Sequence, residues 1–421
     1  MTPFFNKLQR GLNVCFAALC MLLVASPATV HAYDFTINGI SYDVLSYDEL
    51  RCEVVKVFSR ADGTIKIPET VEFDNKTFRV TSIGEYSFRG CKSLTNILLP
   101  DNVTSIGSGA FYECTALIGI QLPKGITAIE GYTFYGCSSL TSLQFPEGVM
   151  SIGNSAFSGC SSLTSLQFPE GVTSIGNSAF SGCGSLTSLH VPEGVTSIGN
   201  ETFYGCSSLT SLHLPGGITS IGDKAFYGCN SLTSLHLPDG ITSIGPGAFY
   251  GCHSLTSLRL PDDLTSIVSH TFFCSKLAEL YLPKSLQQIE NDAFVYAIVG
   301  RYECPLLIKL ICRSAVPAAA DWYSFDFHLP SYTGDYYYYK NITLYVPRGS
   351  LEAYKEADGW KRFDSIVEYD VEDGIDEVVA PGVEREEIGR YDLSGREVDG
   401  SHKGITIVRY DDGSATKIYQ D

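Results

Sequence analysis

The chain has 421 residues, of which 44% are hydrophobic, 18% charged and 12% aromatic, which excludes a disordered polymer and leaves room for a substantial buried core. Its 40 glycines and 18 prolines are too many for long helices to dominate. Forty-seven acidic against 29 basic residues give a formal net charge of −18, which excludes nucleic acid and anionic membrane surfaces as main partners, because binding phosphate needs clustered Lys and Arg.

Residues 1–32 read as an export signal. Lys7 and Arg10 give a positive start, Gly11 to Val24 is mostly apolar, and Val30-His31-Ala32 offers a small-residue cleavage site, so the mature chain is expected to begin near Tyr33. Leu19 before Cys20 and the continuing Met21 to Val24 run argue against lipidation at that cysteine. The apolar stretch is too short to cross a membrane and no second one of comparable length follows, so no transmembrane span is expected in the mature chain.

Downstream the chain repeats itself. Isoleucine falls at 83, 106, 129, 152, 175, 198, 221, 244 and 267, a strict step of 23 residues. Phenylalanine from Phe88 to Phe272, cysteine from Cys91 to Cys252, leucine from Leu94 to Leu255 and proline from Pro100 to Pro261 keep the same step. Residues 142–164 and 165–187 differ only at Met150 against Thr173 and Ser161 against Gly184, the mark of a recent duplication. At Thr271-Phe272-Phe273-Cys274 the usual glycine before cysteine is missing, and the pattern resumes one residue early at Leu277, Pro283, Ile289 and Phe294.

One unit dictates its own shape. Leu143 and Phe145 alternate with Ser142 and Gln144, which predicts a strand with one buried face, and Pro146 ends it. Glu147-Gly148 supplies a turn, Val149 to Ile152 a second short extended piece, and Gly153 to Gly159 a compact turn that carries Phe157 inward. A single unit cannot bury Leu140, Leu143, Phe145, Ile152, Phe157 and Cys160, so neighbours must stack. The expected fold class is therefore a mainly β solenoid of 23-residue rungs over residues 81–295, with two parallel sheets, short turns and capping segments.

The unit C-x-S-L-T-S-L-x-L-P-x-G-V-T-S-I-G-x-x-A-F resembles the leucine-rich repeats of BspA-like surface or secreted proteins of the Bacteroidetes type. Ile67 to Val71 and Phe78 to Gly84 resemble that family's lead into the first repeat, within N-terminal cap strands over 33–80. Leu344 to Tyr354 followed by Gly359-Trp360 resembles its closing segment, within a cap over 296–367, and Ser350 reads as the N-cap of a short helix through Ala357. Residues 368–387 carry nine acidic residues and one basic, a linker composition. Beyond it, 388–398 and 403–409 read as two strands of a small hairpin module, similar to the C-terminal signal domains of exported Bacteroidetes proteins, some of which direct type IX secretion. The resemblance implies a secreted or cell-surface location on the exterior of the outer membrane and an adhesive, non-enzymatic role. The implied partner is an extracellular protein or glycan, and the oligomeric state stays open.

The residues offer little chemistry beyond a surface. The cysteine row reads as buried small residues, since parallel side-chain directions in equivalent rungs disfavour the disulfide dihedral, while Cys304 and Cys312 lie outside the row and could pair. His190, His213 and His236 form a second row. Rungs about 4.8 Å apart put the outer two about 10 Å apart, which excludes a three-histidine zinc site although two could share an ion, and the expectation is a solvated face with no metal. Gly107-x-Gly109 and Gly245-x-Gly247 are turns of the repeat, and no nucleophile elbow, P-loop, H-E-x-x-H motif or paired carboxylates stand out, so neither an enzyme nor a cofactor is expected.

What remains is the outward strand position, which reads Gln121, Gln144, Gln167, His190, His213, His236, Arg259 and Tyr281 and is flanked by a row of serines. Such a strip suits an extended protein or glycan. A tyrosine row at 112, 135, 204, 227 and 250 follows the buried phenylalanines, and Trp322 to Tyr339 is half aromatic, including Tyr336, Tyr337, Tyr338 and Tyr339. Trp322 and these four tyrosines are the candidate stacking platform for a sugar or protein.

Overall fold

The computed structural model describes residues 33–57, 62–272, 277–294, 309–321, 323–325 and 342–370, together with the strands at 387–392, 404–410 and 415–420. The export signal and most of the acidic linker lie outside the described residues.

Each 23-residue unit forms one rung, and Phe157 is typical of how rungs join. Its ring lies between those of Phe134 and Phe180, at centroid distances of 5.4 and 5.5 Å. The same stacking runs from Phe88 through Phe325, with neighbouring rings 5.2 to 5.8 Å apart and interplanar angles of 5 to 26°. Leu143, Leu163, Ile152 and Cys160 and their equivalents fill the space around this column, giving one continuous apolar interior. Backbone bonds tie the turns together rung to rung, as in Phe134 N–H to Ala156 O at 2.8 Å and Phe157 N–H to Ala179 O at 2.8 Å.

Two ladders of parallel strands flank the interior. The isoleucine side consists of two-residue strands in exact 23-residue offset, such as Ser151–Ile152 on Ser174–Ile175. Threonine and asparagine side chains add rung-to-rung bonds on this frame: Thr173 Oγ1 donates to Met150 O at 3.4 Å, and the side-chain carbonyls of Asn154 and Asn177 accept from Asn177 N–H and Asn200 N–H at 2.8 Å. The outer side carries Ser142–Gln144 paired in register with Ser165–Gln167. The missing glycine near residue 273 has the consequence the pattern requires, because beyond it the pairing offset falls to 22, with Arg259 opposite Tyr281 and Ile267 opposite Ile289.

The outer sheet is longer than the repeat pattern and is interrupted. It begins with Gly63–Lys66 beside Leu94–Leu98 and continues past residue 295 through Lys309–Cys312, Thr343–Pro347 and Ser365–Tyr369, all parallel. Pairing lapses between Gln167 and Ser188 and around Ser234 to His236. The lapses coincide with slack rung-to-rung bonds, Thr187 N–H to Thr164 O at 3.3 Å and Thr233 N–H to Thr210 O at 3.4 Å, against 2.9 Å for Thr210 N–H to Thr187 O inside the paired stretch.

Both ends of the interior are sealed. At the start, Phe35–Ile37, Ile40–Ser46 and Arg51–Val57 form an antiparallel meander, and Arg51–Val57 pairs parallel with Lys76–Ile83, which passes the ladder on to Ser105–Ile106. At the far end the phenylalanine column stops on Trp360, whose indole meets Phe325 edge-on at 4.8 Å and donates to Ala318 O at 2.8 Å. The expected short helix is present at Leu351–Glu356, with Ser350 at its N-cap position. The Ser350 hydroxyl, however, donates to Pro347 O, and the Glu368 carboxylate accepts from Gly349 N–H and Leu351 N–H in its place.

The C-terminal module has three antiparallel strands, Glu387–Asp392, Gly404–Tyr410 and Ala415–Gln420, where sequence predicts a hairpin. The extra strand follows Asp412-Gly413, a hairpin-turn dipeptide whose signal that reading passed over.

Close stacking favours glycine in the column after the isoleucines, which only Glu130 and Val268 interrupt between Gly107 and Val268. A Cβ at Gly176 would lie 2.5 Å from Asn154 N and 2.6 Å from Asn154 Oδ1, whereas one at Gly184 would find Ser207 Oγ at an ordinary 3.6 Å. Gly176→Ala should therefore lower stability by about 1–3 kcal/mol, as overpacking does, and Gly184→Ala by a few tenths at most. Urea melts of the two variants check this, and equal midpoints would refute the packing account.

Candidate binding face

The outer strand position is a column in fact. Register pairing aligns Lys66, Leu98, Gln121, Gln144 and Gln167, then His190 with His213, then Arg259, Tyr281, Ile311, Tyr345 and Val367. Gln121, Gln144, Gln167, His190, His213, His236 and Arg259 are exposed, each beside an exposed serine or glycine of intermediate exposure one or two residues back. Alternation within a three-residue strand puts leucine in and these residues out.

Tyr281 behaves differently from the rest of the strip. It is half-buried, packing against a small apolar cluster of Ile311, Tyr345 and Tyr369 on the outer face, where Ile311 is only 1% exposed. The column turns apolar at this end because the strands at 309–312, 343–347 and 365–369 carry hydrophobic residues on both faces. The open strip thus runs from Gln121 to Arg259. Trp322 and Tyr336 to Tyr339 lie outside the described residues.

Histidine stacking is tighter than ladder spacing alone requires. The rings of His190 and His213 lie 4.4 Å apart and within 5° of parallel. Ser234 to His236 forms no strand, so the third histidine is not held in the same sheet. Glu193, which sequence reasoning did not single out, stands next to the pair; its signal was there in the acidic residues three past the strip position, Glu147, Glu170 and Glu193.

The tyrosine row also forms stacks, in two blocks. Tyr112 and Tyr135 lie 4.7 Å apart, and Tyr204, Tyr227 and Tyr250 are spaced at 4.7 and 4.2 Å, with Ser158 and Ser181 separating the blocks. All five rings are half-buried. Arg89, one period before Tyr112 in the same column, extends the first block by placing its guanidinium 5.7 Å from Tyr86 and 5.1 Å from Tyr112, a cation–π contact.

The cysteines among the described residues are buried and free, and those of the repeat are more than space-fillers. Seven thiols, from Cys114 to Cys252, donate to the phenylalanine carbonyl of the preceding rung at 3.1 to 3.3 Å. Phe134 O, for example, accepts both Cys137 N–H and the Cys160 thiol, so both its lone pairs are engaged. Cys312 is likewise a free, buried thiol, and Cys304 lies outside the described residues.

These features are those of the leucine-rich repeat, and residues 81–210 and 196–315 match six copies of the BspA type leucine-rich repeat region. The chain belongs to the BspA-type leucine-rich repeat family. The repeat protein is similar to a T. pallidum leucine-rich repeat protein, at 29% identity over 52% of this chain and 90% of that one, with a TM-score of 0.42. It is also similar to a leucine-rich repeat protein of Bacteroides ovatus, at 26% identity over 66% and 94% of the two chains and a TM-score of 0.39. A leucine-rich cell surface protein of Faecalibacterium prausnitzii is 24% identical over 79% and 94%, with a TM-score of 0.46. No curated protein matches the repeat protein significantly. Among the described residues no helix is long and apolar enough to cross a membrane.

Burial pushes the thiols of Cys137, Cys206 and Cys252 up to about 12, and those of Cys160, Cys183 and Cys229 also well above the ordinary range. The sign follows directly. Below the ordinary thiol value, about 8.5, folded and unfolded chains hold the same protons; above it the unfolded chain loses protons that the rungs retain, so stability falls as pH climbs towards 12. Serine at Cys160 and Cys183 keeps a donor for the carbonyl but does not ionise, so the double variant should lose less stability per pH unit, by about 1.4 kcal/mol for each thiol removed. Urea midpoints between neutral pH and the alkaline limb measure this, and an unchanged slope would discard the thiol account.

Proposed function

We propose that the repeat protein is an exported, surface-displayed adhesin without enzymatic activity, which holds an extracellular protein of host or community origin along the open strip. One observation carries the reading: from Gln121 to His236 the outward column is exposed and built from hydrogen-bonding side chains, and strand pairing fixes its register from Gln121 to Gln167 and from His190 to His213. Glutamine and histidine both donate and accept, so the strip can follow an extended chain whatever its sequence, and repeat proteins present such faces at low cost in entropy because the scaffold is already ordered. Family membership supports protein as the class of partner. Export rests on the signal pattern of residues 1–32. The glycan reading depends on Trp322 and Tyr336 to Tyr339 and gains no support from the described residues.

The mature chain from Tyr33, coated on a surface, should retain host or community cells and capture matrix proteins. Replacing Gln144, Gln167, His236 and Arg259 together by alanine should weaken that capture at least about tenfold, the effect of losing a few central contacts, without moving the melting temperature, because all four side chains are exposed. Retention equal to that of the unsubstituted chain would remove the strip as the binding face.

A further inference from the structure

Two rungs of the outer sheet hold a chemistry the others lack. His190 and His213 are register partners in a parallel pair, so their backbones are held at strand spacing while their rings project side by side into solvent. Pro192 ends the strand, and Glu193 then brings a carboxylate to the same spot, with one ligand atom from each of the three residues lying within 4.8 Å of the other two. No hydrogen bond or ion pair occupies any of the three side chains.

The surroundings leave the carboxylate free to serve both rings. One rung further on, the position equivalent to Glu193 is Gly216, and a Cβ there would meet nothing within 4 Å. Elsewhere the combination fails. Gln144 and Gln167 accompany Glu147 and Glu170 but offer no imidazole, and His236 accompanies Asp239 on a segment that is not paired into the sheet.

We propose that His190, Glu193 and His213 form a surface site for a divalent transition ion of the zinc class, bound by two imidazole nitrogens and one carboxylate oxygen, with water or a donor from a bound partner completing the tetrahedron. Metal–nitrogen bonds near 2.0–2.1 Å and metal–oxygen bonds near 2.0–2.2 Å require donors about 3.4 Å apart, so the three groups must close by roughly 1 Å. Exposed side chains do this by rotation, without disturbing the packed leucines behind them. Two imidazoles favour zinc, copper or nickel, whereas calcium and magnesium demand more oxygen ligands than the site supplies. The site stands whether or not the strip binds a protein, and its readout is independent of capture.

The test titrates Zn2+ into the mature chain against a chromogenic chelator at neutral pH, after accessible thiols have been alkylated. His190→Gln and His213→Gln should each weaken binding at least about tenfold, the loss expected when one of three ligands goes, and Glu193→Gln should weaken it less. His236→Gln should leave it unchanged, and excess Mg2+ should not compete. Cu2+ bound in place of zinc should show the paramagnetic resonance of two coordinated nitrogens, reduced to one in either histidine variant. Melting temperatures of the zinc-free variants should equal that of the parent. Absence of zinc binding, or equal affinity in the His190→Gln/His213→Gln double variant, would overturn the assignment.

Discussion

The protein depends on one ring lying over the next. Each rung contributes a single fully buried phenylalanine to a column running the length of the repeat, and the buried leucines, isoleucines and cysteines of the rungs belong to the same continuous core. A ring of this size contributes several kcal/mol when buried, but only if its neighbours lie directly above and below it, so a rung of the wrong length would cost two contacts at once. The backbone enforces the same register. Phe134 O receives the amide of its own rung and the thiol of the next, which explains why a small sulfur donor suits this position: alanine would leave a lone pair empty, and a larger residue would push the rungs apart.

Because the interior is so uniform, most of the fold could be read from spacing. The period, the inward phenylalanines, the buried cysteines and the shift after Phe272 all follow from counting, since a solenoid converts sequence distance into spatial distance at a fixed rate. The departures come where the period is lost. Lys309–Cys312, Thr343–Pro347 and Ser365–Tyr369 prolong the outer sheet although no 23-residue pattern announces them, because parallel pairing needs backbone and a matching apolar face but no particular loop length between strands. The Ser350 side chain turned to Pro347 O for a similar reason, since Glu368, which supplies acceptors to the helix start, is adjacent only once the last strand has folded back.

On the outer face, sequence shows which residues project but not what they meet. Gln121 to Arg259 project into solvent as the alternation requires, yet Tyr281, at the same position in the pattern, is half-covered by an apolar cluster whose members come from the aperiodic end. Arg89 over Tyr86 and Tyr112, and Glu193 beside two histidines, escaped because each contact joins unlike residue types: Arg89 stands one full period before Tyr112, and Glu193 meets His213 of the next rung at an offset of 20. A motif search along the chain does not see such pairs, whereas folding the sequence into rows of one period and looking both down the columns and diagonally would.

The ladder also limits what chemistry the surface can perform. Equivalent side chains stand a strand spacing apart along a line, which favours stacking, rung-to-rung hydrogen bonds and contact with a long ligand, but never brings three equivalent groups to one point. Convergence requires a residue from outside the column, and Glu193 is such a residue, reaching across because Pro192 turned the chain and Gly216 left the adjacent space open. Extended recognition is therefore native to this architecture, and a point-like site arises only where a turn residue breaks the row, as it does beside His190 and His213.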